Sequence, residues 1–262
     1  MLWQLATSYL DYLSQLSALL RDPVYRGTNV PKGKGEPVLL VPGFLGGDWT
    51  LLVMAGWLKR TGYRPYLSGV DWNVDWPNRT GELLGRRLAY IVRETGSPVV
   101  VIGHSLGGLL ARFLSSRFPE SACHVVALGS PVHNPLDAAH PFVLSAFFTL
   151  QAWRETRGDS SPKSSNSFWG FIQRVSSPLP QGVGFTSIFS KQDEVVDWHA
   201  CLDSRGENRE VPGRHVSLIV NREVYRILAG VLITCSQGKD IRAAQGSIYE
   251  SSPVCKSPSF IV

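Results

Sequence analysis

Residues 98–117 carry the sequence PVVVIGHSLGGLLARFLSSR, and this stretch decides the fold class. Its first half is a continuous apolar run, which is typical of a strand buried on both faces of a parallel sheet. Its second half has the apolar spacing of a helix over residues 106–117. Ser105 stands at the junction, with a glycine two residues before it and another two residues after it. The stretch therefore predicts a strand, a tight turn that contains the serine, and a helix.

The segments on either side alternate between the same two patterns. Apolar runs predict further strands at 38–41, 64–70, 124–128, 185–189 and 209–211. Apolar spacing predicts further helices at 49–62, 79–95 and 221–233, the second with Thr80 as its N-cap and Gly96 as its stop. Strands that alternate with helices form βαβ units with helices on both faces of the sheet. We therefore expect an α/β fold, a three-layer α/β/α sandwich with a mostly parallel sheet of about six strands.

The alternation stops after Pro131 and returns near residue 183, which predicts an inserted segment. Residues 133–182 are rich in Phe and Trp and show no regular periodicity, so we expect an irregular lid or cap. The other predicted parts are an N-terminal amphipathic helix in 1–30, a core formed by 31–132 and 183–235, and a polar tail at 236–262. The apolar face of the N-terminal helix has two interpretations: it packs in a groove of the core, or it meets lipid.

Composition and charge exclude several classes of protein. Apolar residues make up 44% of the 262 residues, which is too many for a disordered chain. The 26 basic and 21 acidic residues nearly balance and are scattered, so no nucleic-acid partner is expected. We find neither an apolar run long enough for a transmembrane helix nor a signal-peptide pattern, which favours a cytoplasmic location. The four cysteines form no C-x-x-C pair, so no metal is expected, and a Cys235–Cys255 disulfide is left open.

Residues 103–107, Gly-His-Ser-Leu-Gly, match the G-x-S-x-G nucleophile elbow in its required place between strand and helix. On this motif the chain resembles an α/β-hydrolase of the lipase and esterase branch, over about Pro37 to Leu232. The resemblance also rests on three other stretches, VLLVPGF at 38–44, SKQDEVV at 190–196 and GRHVSL at 213–218. It implies the α/β-hydrolase fold and the chain order serine, acid, histidine.

The resemblance implies a catalytic triad. Ser105 is expected to be the nucleophile, and a serine needs a neighbouring base because it is a poor nucleophile at its own pKa. His215 lies where the family places this base, and His199 is the alternative. Asp193, at the end of a predicted strand, is expected to be the acid that orients the imidazole, with Asp197 as the alternative.

The resemblance also implies an oxyanion hole made of two backbone N–H groups. One comes from Leu106, the residue after the nucleophile. The other comes from the loop after the first strand, where Phe44 is the choice and Leu45 the alternative. The residues expected to contact the substrate are Leu45, Trp72, His133, Phe142 and Phe147.

These features together imply a serine carboxylic-ester hydrolase that cleaves lipophilic acyl esters through an acyl-enzyme on Ser105, without a cofactor. Lipase and carboxylesterase are left open. An acyltransferase or a thioesterase would use the same triad, and a non-catalytic ligand-binding protein could share the fold. The expected partners are a small-molecule ester and, transiently, a lipid interface; the oligomeric state is left open.

Overall fold

A six-stranded parallel sheet runs through the computed structural model of the chain, in the order β2-β1-β3-β4-β5-β6. The strands are β1 Pro37–Val41, β2 Arg64–Leu67, β3 Val99–His104, β4 Ala122–Leu128, β5 Gly184–Phe189 and β6 Glu207–Glu210. Every neighbouring pair is parallel. The predicted α/β class and the sheet of about six strands are confirmed.

The structure describes residues 2–158 and 167–235. The predicted tail at 236–262, with Cys255, lies outside these residues. The helices are α1 Leu2–Arg21, α2 Pro23–Arg26, α3 Leu52–Arg60, α4 Pro77–Thr95, α5 Leu106–Arg117, α6 Pro135–Ala138, α7 Pro141–Thr156, α8 Phe168–Ser176 and α9 at 222–235. Across the described residues, every helix falls short of the length and apolar character that a transmembrane span requires.

Two apolar cores lie on opposite faces of the sheet. Successive side chains of a strand point to opposite faces, so Val38 and Leu40 pack in the core that also contains side chains of α1, α3 and α9. Leu39 and Val41 pack in the other core, with side chains of α4, α5 and α8. The predicted three-layer α/β/α sandwich is confirmed.

Two local predictions are wrong. The helix predicted from residue 79 begins at Pro77, so Thr80 lies inside it and is not its N-cap. Proline is favoured at the first helical position because that residue has no intrahelical use for an N–H group. The helix does end at Gly96, in the left-handed conformation with a φ of 64°. The described residues of the inserted segment, 133–158 and 167–182, are not irregular, because they form α6, α7 and α8.

The two edges of the sheet carry residues that disfavour further pairing. All four residues of the edge strand β6, Glu-Asn-Arg-Glu, are exposed. The opposite edge strand, β2, contains Pro65, which has no N–H to donate to a neighbouring strand.

Candidate active site

Ser105 lies in a tight turn between β3 and α5. Its φ of 54° and ψ of −122° are unusual for a residue with a side chain, and such strain concentrates at functional sites. The Ser105 N–H donates to the Leu128 carbonyl of β4 at 2.8 Å. A side chain at Gly103 would collide with the Gly107 carbonyl, and one at Gly107 would collide with the Val41 carbonyl. The glycines of the motif are therefore required by the close approach of strand and helix.

Asp193 and His215 form a buried hydrogen-bonded pair. His215 Nδ1 donates to Asp193 Oδ2 at 2.7 Å, and the two side chains are 6% and 2% exposed. The other carboxylate oxygen, Oδ1, accepts the N–H groups of Val195 and Val196 at 2.8 and 2.9 Å. The carboxylate is thus fixed by three donors, and it selects the tautomer in which His215 Nε2 has a free lone pair.

Ser105, Asp193 and His215 all follow the carboxyl ends of strands of the parallel sheet, at one edge. The His215 ring packs on the ring of His104, the residue before Ser105, with 4.8 Å between the ring centroids. His104 Nε2 donates to the His215 carbonyl at 3.0 Å. Within residues 2–158 and 167–235, His215 forms a hydrogen bond with Asp193, but the Ser105 hydroxyl forms none with His215.

His104 is a neutral residue of the site. Burial, and then the proximity of His215, lower the pKa of its imidazole from 6.5 to about 3. His104 therefore stays uncharged near neutral pH and adds no positive charge beside the His215 ring.

The loop after β1 brings a backbone amide towards Ser105. The Leu45 N–H is already used, because it donates to the Asn73 carbonyl at 3.1 Å. Among the described residues, neither the Phe44 N–H nor the Leu106 N–H has a hydrogen-bond acceptor. The hydrogen bonding therefore favours Phe44 over Leu45 as the second donor of an oxyanion hole, beside Leu106.

Asn73 holds the Phe44 loop, a role that no motif in the sequence indicates. Its side-chain amide donates to the Pro42 carbonyl at 2.8 Å, and its N–H donates to the Gly46 carbonyl at 2.7 Å. With the Leu45 bond, three hydrogen bonds connect Asn73 to both ends of this loop. The residue is fully buried.

An apolar cavity of about 90 Å³ opens beside Ser105. Ser105 is the one polar side chain among the residues that line it, and Phe44 and Leu106 lie beside it. The inserted segment supplies much of the opposite wall through Leu136, Val143, Leu144, Phe147, Phe168 and Phe171. The arrangement can accept an acyl chain next to a hydroxyl group.

The predicted substrate residues divide into two groups. Phe147 lines the cavity. Leu45, Trp72 and Phe142 do not line it, and their side chains are 51%, 60% and 57% exposed. His133 is also outside the lining, and its N–H donates to the Ala200 carbonyl at 3.0 Å. A substrate role for these four residues stays a prediction.

The alternative base and acid form a separate pair. His199 Nδ1 contacts Asp197 Oδ1 at 2.7 Å, and both side chains are more than half exposed. Neither residue lines the apolar cavity. The geometry therefore favours His215 and Asp193 over these alternatives.

Comparison with known families agrees with this architecture. A family model described as the alpha/beta hydrolase fold matches residues 36–178, more than half of the chain. This chain belongs to the α/β-hydrolase fold family. The match includes the Phe44 loop and Ser105 but not Asp193, His215 or helix α1. The predicted resemblance to this family is confirmed.

Two curated relatives of this α/β hydrolase are named triacylglycerol lipase. They come from Pseudarthrobacter phenanthrenivorans and Burkholderia plantarii, and each is 34% identical over 105 residues. The alignments cover 36% of this chain and 33% and 29% of the relatives. The chain thus spans about a third of the length of the curated relatives it matches.

Solved structures share the fold of this α/β hydrolase. The Bacillus licheniformis lipase BlEst2 aligns with a TM-score of 0.56 and 15% identity, over 78% of this chain and 94% of that one. A monoacylglycerol lipase from Paleococcus ferrophilus aligns with a TM-score of 0.55 and 16% identity, over 78% and 97%. Because these identities are low, the likeness supports the fold alone.

Proposed function

We propose that this protein is a serine carboxylic-ester hydrolase with Ser105 as nucleophile, His215 as base and Asp193 as orienting acid. The observation that carries the proposal is the buried hydrogen bond of 2.7 Å between His215 and Asp193, at the sheet edge where Ser105 stands on the wall of an apolar cavity. The names of the curated relatives support the same class of reaction.

The proposed reaction proceeds through an acyl-enzyme. His215 Nε2 takes the hydroxyl proton of Ser105 while Oγ attacks the ester carbonyl, and Asp193 stabilises the imidazolium without taking the proton. His215 then gives the proton to the departing alcohol. Water attacks the acyl-enzyme with the same base and releases the carboxylic acid. No step of this sequence requires a cofactor.

The developing oxyanion needs two donors that are already in place. We propose the backbone N–H groups of Phe44 and Leu106, which have no other acceptor among the described residues. Leu106 is also the first residue of α5, so the positive end of the helix dipole lies at this position. Donors of this kind act on the transition state more than on the bound ester.

The apolar lining supports a lipophilic acyl group as the substrate. We propose that helices α7 and α8 of the inserted segment cover this acyl group, because they contribute Phe147, Phe168 and Phe171 to the cavity wall. The pocket in the structure is small, so longer chains require movement of this wall or exit through its opening.

Exposed apolar side chains near the site support transient contact with a lipid interface. Leu45 and Trp72 stand on loops that follow β1 and β2, at the same sheet edge as Ser105, and Trp72 packs edge-to-face against the exposed Trp49. Phe142 is exposed one residue before Val143, which lines the cavity. Aromatic side chains with exposed faces are frequent at interfaces between apolar and aqueous phases.

A fluorophosphonate probe that labels activated serines tests the proposal. We expect the wild-type protein to be labelled at Ser105 and to hydrolyse p-nitrophenyl esters, with both signals lost in S105A. H215A is expected to lose roughly 10³-fold or more in kcat, because the members of a triad act as a unit. H199A is the matched control and is expected to retain activity.

Three outcomes would overturn the proposal: no labelling of the folded wild-type protein, full hydrolysis by S105A, or loss of activity in H199A with retention in H215A. Acyl chains of increasing length, with and without an emulsion, then separate lipase from carboxylesterase. If Trp72 contacts lipid, we expect W72A to hydrolyse emulsified esters more slowly than the wild-type protein and soluble esters at the same rate.

A further inference from the structure

We propose that helix α1 positions the catalytic base, with Asp11 and Ser8 as its positioning residues. This inference rests on the proposed function. Helix α1 spans Leu2–Arg21 and precedes the family match, which begins at residue 36. It is therefore an addition to the matched part of the fold, and its polar contacts converge on the loops that carry His215 and Asp193.

Asp11 holds two residues close to His215 on its loop. Its Oδ2 accepts the backbone N–H of Arg214 at 3.0 Å and the hydroxyl of Ser217 at 2.5 Å. One carboxylate oxygen of α1 thus fixes the backbone immediately before the base and the side chain two residues after it.

Ser8 reaches the base through Glu194. The Ser8 hydroxyl donates to Glu194 Oε1 at 2.5 Å, and Glu194 Oε2 accepts the backbone N–H of His215 at 3.2 Å. Glu194 directly follows Asp193 in the chain. The same helix is therefore connected to the loop of the acid and to the loop of the base.

The loop of His215 needs such contacts because its entry is conformationally free. Gly213 has a φ of 121°, a conformation that other residues rarely adopt, and glycine permits many alternatives. Two further links join this loop to the acid loop: the Gly213 N–H donates to Gln192 Oε1 at 2.9 Å, and Arg214 Nη1 lies 3.9 Å from Glu194 Oε2. Without Asp11 and Ser8, the loop would keep fewer bonds that fix the imidazole relative to Ser105.

The experiment compares D11A, D11N and S8A with the wild-type protein. In D11A we expect kcat to fall by roughly 10- to 100-fold, because small displacements of a catalytic group cost this much, while KM changes by less than about twofold because the cavity is untouched. D11N keeps an oxygen acceptor at the same position and is expected to recover most of the loss. S8A removes one hydroxyl and is expected to show a smaller loss than D11A. S14A, an exposed serine on the same helix, is the matched control and should behave as wild type.

A second measurement does not depend on turnover. The Nδ1 proton of His215 is followed by NMR and assigned by its absence in H215A. We expect this proton to exchange with water about 10-fold faster in D11A than in wild type, because the loop opens more often, and S14A to leave it unchanged. A purely structural role of α1 would lower the melting temperature and leave both this exchange rate and kcat unchanged.

The inference is overturned if folded D11A and S8A keep the wild-type kcat and the wild-type exchange of the His215 proton. It is also overturned if D11N is as impaired as D11A, because the charge rather than the hydrogen-bonded geometry would then act. Failure of the proposed function is distinguishable: wild type would show neither labelling nor hydrolysis, while the NMR comparison would still report on the contact between α1 and His215.

Discussion

Replacement of Asn73 by alanine tests how the Phe44 loop is held. The substitution removes the donor to the Pro42 carbonyl and leaves that buried acceptor unpaired, while the two backbone hydrogen bonds of residue 73 remain. A buried carbonyl that loses its partner costs about 1–3 kcal/mol. Asn73 Oδ1 accepts no hydrogen bond among the described residues, so its removal offsets part of this cost. We therefore expect a loss of unfolding free energy near the lower limit, about 1 kcal/mol.

The effect on catalysis is expected to exceed the effect on stability. If the loop relaxes and the Phe44 N–H moves from the oxyanion, the transition state loses up to the same 1–3 kcal/mol, which corresponds to about 5- to 150-fold in kcat. KM should change by less than about twofold, because the apolar cavity does not contain Asn73. The affinity for a boronate transition-state analogue should fall by the same factor as kcat.

The assay is p-nitrophenyl butyrate hydrolysis at saturation, with urea unfolding measured in parallel. N73D is expected to be at least as impaired as N73A, because a carboxylate cannot donate to the Pro42 carbonyl and repels it. D71A, in the same loop with an exposed side chain, is the matched control. A folded N73A protein with wild-type kcat and full boronate affinity would refute the reasoning.

Three further changes have expected outcomes. R112M should lose about 3–5 kcal/mol of unfolding free energy in urea, because the buried Arg112–Asp203 ion pair of 2.8 Å is broken and, among the described residues, the Asp203 carboxylate keeps only the uncharged Arg205 N–H as a donor; R112M/D203N should recover part of it. Burial lowers the pKa of His104 to about 3 and of His124 to about 4, both from 6.5. The unfolded state therefore binds more protons than the folded state at acid pH. The contribution of each imidazole to the unfolding free energy is complete above pH 6.5, and it decreases by up to about 1.4 kcal/mol per pH unit as the pH falls towards these pKa values. Urea unfolding between pH 7 and 4.5 checks this, and an H124Q protein whose unfolding free energy falls with pH as steeply as that of the wild type would contradict it. F147A should lose about 3 kcal/mol of unfolding free energy and should prefer p-nitrophenyl esters with larger acyl groups, because the cavity grows. An unchanged preference would show that Phe147 does not contact the acyl group.

The sequence predicts those parts of the fold that depend on local pattern. The run at 98–117 contains both β3 and α5, and α5 has the predicted bounds because Ser105 and its glycines mark its start. The apolar pattern does not predict helix α7, because its apolar residues are spread around the helix instead of following one face.

The candidate site is predictable only where family order or spacing points to a residue. Asp193 and His215 follow strands in the expected chain order, and the structure brings these two together. Asn73, Ser8 and Asp11 act through hydrogen bonds to backbone or side chains that are distant in sequence, up to 206 residues for the Ser217–Asp11 bond. The sequence around such a residue looks the same as the sequence around an ordinary surface residue, so no local pattern identifies it.

The composition of the sheet edges bears on how copies of this chain meet each other. If a second copy paired its own β6 with this β6, the charged side chains of Glu207, Arg209 and Glu210 from both copies would be brought together. A strand that paired with β2 would lack one hydrogen bond, because Pro65 has no N–H to donate. Both routes to a continuous sheet across two molecules are thus disfavoured.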